Sequence, residues 1–190
     1  MRQAFFFAAL FTAIFCTAPV GTEALARNKA DIADLAVYPD PPNLKVRFRI
    51  DNCFNDEMME AIKSGVPAVF RILVVLEKEG LPLLRDRLVD VSFEHSIRYD
   101  TLHGQYHVKL AEHPNTTLTT KDFEKAKKWM SEVEDVPVIP LWRLPKGQEY
   151  QVRVKAELSK VQLPFFLRYV FFFVSLWDFE TDWAQASFVH

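Results

Sequence analysis

The chain has 190 residues, of which 49% are hydrophobic and 25% charged, and its formal net charge is −2 at pH 7. This composition is typical of one globular domain with its own core and excludes disorder over most of the length. The near balance of charge argues against nucleic acid or an anionic membrane as the main partner.

The first 26 residues have the pattern of a secretory signal peptide. Arg2 supplies a positive charge, residues 4–17 are an apolar run, and Ala24-Leu25-Ala26 offers a small-residue cleavage site. We expect cleavage after Ala26, a periplasmic product, and one domain over residues 27–190. The alternative is an uncleaved membrane anchor, but the apolar stretch is shorter than the roughly 20 residues of a spanning helix.

The mature chain then keeps one thiol, because cleavage removes Cys16 and leaves Cys53. Cys53 lies between a predicted strand and a predicted helix, beside Phe54. We interpret it as a small buried hydrophobe rather than a reactive nucleophile.

The first predicted elements are strands and a short helix. Residues 35–38 form an apolar piece that we expect the following prolines to end. Apolar and basic residues alternate over residues 44–50, which is typical of a strand with one solvated face. Asn55 as N-cap and Gly65 as C-cap predict a helix over residues 56–64.

The middle of the chain predicts a central strand and a hairpin. Residues 66–76 are almost continuously apolar, as expected of a strand covered on both faces. Strict alternation over residues 89–99, a turn at Gly104 and a second alternation over residues 106–110 predict a β-hairpin.

The next elements complete the predicted fold. Thr119 and Asp122 resemble a capping box that opens a helix over residues 121–133, and residues 150–158 alternate as a strand. With about eight strand candidates, two short helices and no βαβ alternation, the sequence predicts a mainly β (α+β) fold. We expect an antiparallel two-sheet β-sandwich, immunoglobulin-like.

Four histidines near the hairpin raise the question of a metal site, and they are His95, His103, His107 and His113. His107 falls on the polar face of the hairpin and His95 on the apolar one, and no cysteine or carboxylate completes a set. We therefore favour scattered surface histidines and predict no metal or other cofactor.

The stretch from Leu163 to Trp177 is apolar apart from Arg168 and Ser175. Its length falls short of the roughly 20 residues that span a bilayer, so we predict a buried strand or aromatic corner and no transmembrane segment in the mature chain. A peripheral membrane contact is left open.

Residues 177–183 alternate between aromatic or Thr residues and carboxylates, which predicts a strand with an aromatic face and an acidic face. A hydrolase that uses Asp178 and Asp182 is disfavoured, because neighbours on one strand face point the same way rather than across a cleft.

Several short motifs in a fixed order resemble the bacterial domain-of-unknown-function family 4390. They are Ser64-Gly65-Val66-Pro67, Tyr99-x-x-Leu102-x-x-Gln105-Tyr106-x-Val108, Leu163-Pro164, Ser175-x-Trp177 and Asp182-Trp183. The resemblance implies an exported proteobacterial protein without assigned activity, often encoded beside a sensor kinase gene. It defines no functional residues, so none are carried over.

These observations favour a non-enzymatic protein-interaction module of the cell envelope, linked to a sensor kinase system. Phe and Trp are abundant and no catalytic set is found, so we predict no catalytic, cofactor-binding or metal residues and expect an envelope protein as partner. The alternative is a periplasmic carrier of a lipid or other apolar ligand, with its cavity lined by the stretch from Phe165 to Phe173.

Overall fold

The computed structural model describes residues 29–80, 86–159 and 179–190. The predicted signal peptide with Cys16, the stretch over residues 163–177 and Asp178 lie outside the described residues.

The described chain is mainly β, with two antiparallel sheets and two helices, as predicted. The first sheet has the order β1-β2-β7 and the second the order β6-β5-β4-β3-β8-β9. The strands are β1 (Asp31–Asp40), β2 (Asn43–Asp51), β3 (Ala68–Lys78), β4 (Asp86–Asp100), β5 (Gln105–Lys109), β6 (Thr117–Thr120), β7 (Glu132–Pro140), β8 (Glu149–Leu158) and β9 (Ala184–Val189). The helices are α1 (Asp56–Lys63) and α2 (Phe123–Ser131), and a 3-10 turn over Leu141–Arg143 follows β7.

One apolar cluster lies between the sheets and joins them. Phe48 and Ile50 contribute from β2, Ile72 from β3 and Val152 from β8, and each is 4% exposed or less. Alternate residues of a strand point to opposite faces, so the period-two pattern of these strands gives each sheet one apolar face. The two-sheet sandwich predicted from that pattern is confirmed.

The first strand extends beyond its predicted end. β1 includes Pro39, which pairs with Leu44, and the turn to β2 falls at Pro41-Pro42. β1 is an edge strand of its sheet, and an edge position tolerates a residue that has no backbone N–H to donate.

The central strand is covered less completely than predicted. β3 lies between β4 and β8, and Phe70 is fully buried on its inner face. On the outer face Val75 is buried, but Arg71 is exposed and lies 3.7 Å from Glu157. The prediction that both faces are covered is therefore wrong at Arg71, which forms a solvated ion pair with Glu157 on the neighbouring strand β8.

The start of α1 follows its sequence signals. The Asn55 side chain accepts a hydrogen bond from the Met58 N–H at 2.8 Å, as an N-cap does. At the other end the cap residue is Ser64, and Gly65 follows with a φ of 91°, a conformation that other residues rarely adopt.

The start of α2 differs from the predicted capping box. Asp122 is itself the N-cap, because its carboxylate accepts from the N–H groups of Glu124 at 2.9 Å and Lys125 at 3.3 Å. Thr119 lies in β6 instead, where it pairs with His107. The helix also ends at Ser131, since the chain enters β7 at Glu132.

Candidate interaction surface

The two tryptophans that are exposed in the described chain are candidates for recognition. Trp142, in the 3-10 turn, is 82% exposed, and Trp183, just before β9, is 38% exposed. They differ in surroundings, because only Trp183 has cationic side chains stacked on its ring among the contacts of the described residues.

Backbone hydrogen bonds to β8 hold the segment that leads to Trp183. The Leu158 N–H donates to the Phe179 carbonyl at 3.0 Å, and the Thr181 N–H donates to the Ala156 carbonyl at 2.9 Å. The Ala156 N–H in turn donates to the Thr181 hydroxyl at 3.0 Å. These bonds fix residues 179–183 beside β8 and so fix the position from which the Trp183 side chain projects.

Side-chain packing against the core also anchors residues 179–183. The Phe179 ring meets the buried Phe70 ring edge to face, with centroids 4.8 Å apart. Thr181 is buried at 2% exposure. The backbone before Trp183 is therefore attached to the core as well as to the strand.

Two cations of β8 stack on the Trp183 ring. The Arg153 guanidinium carbon lies 4.6 Å from the ring centroid and the Lys155 ammonium 5.8 Å from it. Residues two apart on a strand share a face, which explains why both reach the same ring. Such cation–π contacts hold an indole in one orientation while part of it stays in solvent.

Two ion pairs involve residues around Trp183, so side chains of both charges lie near it. Lys155 pairs with Glu180, and Lys29 pairs with Asp182 at 2.8 Å. The Lys29 ammonium hydrogen-bonds the Asp182 carboxylate and lowers the pKa of that group. We call Trp183, Arg153, Lys155, Glu180 and Asp182 the Trp183 platform.

The platform settles two predictions about this segment. Phe179 and Thr181 point inward while Glu180 and Asp182 point outward, as predicted, but Trp183 is 38% exposed over Arg153 and Lys155, so the predicted alternation is wrong at Trp183. The predicted strand is wrong for residues 179–183, which make a single bridge to β8, because the Thr181 hydroxyl replaces a regular ladder partner. Asp182 is 88% exposed and paired with Lys29, which gives it no cleft in which to act as an acid or base.

His95 is completely buried, so the prediction of scattered surface histidines is wrong for this residue. Its Nε2 lies 2.7 Å from Glu112 Oε2 and its Nδ1 lies 3.2 Å from the Met130 carbonyl oxygen. The ring thus has a hydrogen-bonding partner at each of its two nitrogens.

This buried pair ties β4 to the segment after β5 and to the end of α2. Burial raises the pKa of Glu112, but the hydrogen bond and positive charge of His95 outweigh burial, and the pKa lies below its usual value. The Glu134 N–H also donates to Glu112 at 3.3 Å. Both partners are saturated with protein contacts, which is the pattern of a structural link.

The other histidines lie elsewhere on the hairpin. His103 Nδ1 is 2.7 Å and His107 Nε2 3.7 Å from Asp100 Oδ2. His113 lies in the turn region after β5. Within the three described ranges, no group of three or more His, Cys, Asp or Glu residues is arranged to hold a metal ion.

Cys53 is buried at 4% exposure, as predicted, and its thiol donates to the Ile50 carbonyl at 3.3 Å. Burial raises its pKa to about 12, which removes the reactive thiolate at neutral pH. Cys53 borders an open groove of about 340 Å³ between the end of β2 and α2, where Arg49, Lys127 and Glu132 are among the lining residues. Such a charged lining is unlike that of a lipid site.

Neither helix of the described chain could cross a bilayer, since α1 has 8 residues and α2 has 9.

The comparisons with known proteins identify a family. A family model described as "Domain of unknown function (DUF4390)" matches residues 27–187. No curated protein and no solved structure matches the chain.

Proposed function

The chain belongs to the DUF4390 family of domains of unknown function, and we propose that it is a non-enzymatic protein-interaction module of the cell envelope. It is exported to the periplasm by its cleaved leader, and it serves an envelope protein partner linked to a sensor kinase system. The Trp183 platform is its contact surface.

The observation that carries this proposal is the state of Trp183, which is exposed and yet held in place. Tryptophan and arginine are enriched among the residues that dominate binding energies. The stacked Arg153 and Lys155 and the anchored backbone limit the conformational entropy that Trp183 would lose on binding. A preorganised aromatic ring with charges at its rim has the anatomy of a small protein interface.

The charges suggest what kind of surface fits. Glu180 and Asp182 lie beside Lys155 and Lys29, so both signs are presented within the platform. A partner would place an apolar side chain against the indole and polar groups of both signs around it. This pattern also explains why neither nucleic acid nor an acidic surface is the proposed partner.

Quantitative pull-down from a periplasmic extract tests the proposal. Trp183→Ala should weaken partner binding by about 30-fold, because loss of a central aromatic residue typically costs about 2 kcal/mol or more. Trp142→Ala is the matched control, since it removes a more exposed tryptophan outside the platform and should leave binding unchanged. Circular dichroism of both variants checks that they fold.

Equal binding by Trp183→Ala and the unmodified protein would contradict the proposal, and so would an equal loss with Trp142→Ala or the recovery of no specific partner. The mass of the periplasmic protein tests export independently. It should correspond to a chain that begins at Arg27, and a retained leader would contradict cleavage.

A further inference from the structure

Within residues 29–80, 86–159 and 179–190, one edge of β4 has no paired strand along most of its length. β4 pairs with β3 on one side from Asp86 to Ile97, but on the other side β5 pairs only with residues 96–100. Among the described residues, no strand pairs with this second edge over residues 86–95. Its backbone N–H and C=O groups thus form a template for another strand.

The open part of β4 is also exposed at its side chains. Every residue from 86 to 94 is exposed or half-buried. Val89, Val91 and Phe93 share the face that carries the buried His95, and Val91 is 42% exposed. This face carries neither a proline nor an inward charge, which are two of the devices that keep natural edge strands from pairing.

The sequence of the edge fits a second copy of itself in one antiparallel register. A two-fold axis at Val91 sets each Val91 opposite the other, Val89 opposite Phe93, and Asp90 opposite Ser92. An axis at Asp90 would oppose two Asp90 carboxylates, and an axis at Ser92 would oppose Asp90 and Glu94. Like charges directly opposite are destabilising, which disfavours the registers centred on Asp90 and Ser92. The register centred on Val91 also sets only apolar side chains opposite one another on the face of Val89, Val91 and Phe93, whereas an axis at Phe93 would set Val91 opposite the buried His95.

We propose that two copies of this chain pair through the β4 edge, antiparallel and centred on Val91, so that their larger sheets become continuous. The bulge in the β3–β4 pairing lies at Leu76/Glu77, toward the start of β4, and leaves residues 89–93 regular. The proposal does not depend on the Trp183 platform, which lies on β8 and the segment before β9.

Disulfide cross-linking tests the register. In Val91→Cys the two Cβ atoms would be directly opposite, about 4.5–5.5 Å apart, and mild oxidation should yield covalent dimers. The buried Cys53 does not compete. Val189→Cys is the matched control, because Val189 is 71% exposed but lies on β9, away from the β4 edge. The Val189→Cys variant should remain monomeric on a non-reducing gel. Stronger cross-linking through Val189→Cys than through Val91→Cys would overturn the proposal.

Sedimentation velocity of the protein purified from the periplasm tests the association itself. The unmodified protein should dimerise and Val91→Lys should be monomeric, because it opposes two lysines. Ser92→Lys should instead tighten the dimer several-fold, since it sets a lysine opposite Asp90 twice. Both positions are exposed, so circular dichroism should be unchanged.

A monomer at every concentration would overturn the proposal. So would a Ser92→Lys variant that dissociates as readily as Val91→Lys, because that result would show that Asp90 does not face residue 92. If Val91→Lys misfolds, the Ser92→Lys and Val91→Cys measurements still decide the question.

Discussion

Asp100 shows how one side chain can order a turn. It ends β4, and its carboxylate accepts hydrogen bonds from the backbone N–H groups of Leu102 at 2.9 Å and His103 at 3.1 Å, and from the His103 ring at 2.7 Å. The His103 ring and N–H, together with Leu102, lower the pKa of Asp100 to about 2. The charged form of Asp100 is therefore favoured by the folded state.

This shift predicts a pH dependence of stability. The folded pKa of Asp100 is below the unfolded value of about 4, so its contribution is full above pH ~4 and is lost as pH falls toward 2. Asp100→Asn should be less stable than the unmodified protein at pH 6, and the gap should narrow between pH 4 and 2. Urea unfolding midpoints measured across this range check it.

His103→Ala serves as the partner control, because it removes the largest cause of the shift and should lose part of the same pH dependence. A gap between Asp100→Asn and the unmodified protein that stays constant from pH 6 to 2 would contradict the prediction.

At this scale, sequence reasoning succeeded where the neighbours along the chain decide the environment. Cys53 was predicted to be buried because it follows an alternating strand and precedes Phe54, and it is buried. The Glu112 partner of His95 was missed, because it is 17 residues away and reaches the ring through the turn after β5. No local pattern encodes that approach.

The two α-helices found in the described part of the chain are short, so their ends matter for their stability. α1 has 8 residues and α2 has 9, whereas isolated helices of this length are not stable in water. Each begins at a side chain that caps it, Asn55 for α1 and Asp122 for α2. The N-cap hydrogen bonds and the packing of each helix's buried face against the core together stabilise the two helices.

A pair of substitutions can test whether α2 is capped by Asp122, as observed, or by Thr119, as the capping box predicts. Asp122→Ala should lower the free energy of unfolding by about 1 kcal/mol, because the Glu124 and Lys125 N–H groups lose their acceptor. Thr119→Ala should have a much smaller effect, since Thr119 is an exposed residue of β6. Equilibrium urea unfolding of both variants checks it, and the reverse order of effects would restore the predicted capping box.

Sequence alternation predicts the strands well where it is strict. It predicts them poorly where a side chain, such as the Thr181 hydroxyl, takes the place of a backbone hydrogen-bond partner. β2, the β4–β5 hairpin and β8 lie where period two places them. The Trp183 platform was not predicted as a unit, because it depends on Ala184 pairing with Val154, a register that neither strand's pattern specifies. A difference of register would have moved Trp183 away from Arg153.

At the scale of the whole molecule, a core built from the described residues serves both sheets. Ile50 of β2 and Ile72 of β3 belong to the same buried cluster, and each is 2% exposed or less. A shared core couples the sheets, because neither can expose its apolar face without exposing the other's.

This coupling predicts a single unfolding transition. Ile50→Val and Ile72→Val should each lower the free energy of unfolding by about 0.5–1.5 kcal/mol and shift the same transition, although they lie in different sheets. Circular dichroism and tryptophan fluorescence should give coincident curves. Val189→Ala, at a strongly exposed position, should change little. Two separated transitions, with each variant shifting only one, would contradict the prediction.

The fold class was predictable because strands outnumber helices and no βαβ pattern occurs. The division of strands between sheets was not, because β7 joins β1 and β2 while the next strand, β8, joins the other sheet. Both strands alternate, and alternation indicates a buried face without indicating which strands are neighbours. The export of the protein stays a prediction, since the leader lies outside the described residues.

The contact between β1 and β9 also has a consequence for the timing of biosynthesis. Lys29 and Asp182, which form an ion pair, are 153 residues apart, and β1 contacts β9. At about 5–20 residues per second, the ribosome delivers β9 on the order of ten seconds after β1. β8 is made only shortly before β9, so in the last seconds of that interval β8 is a sheet edge without β9, and the Tyr150 ring lacks the Phe188 ring that later stacks on it. A holding chaperone that binds the nascent chain would have its greatest effect in that interval.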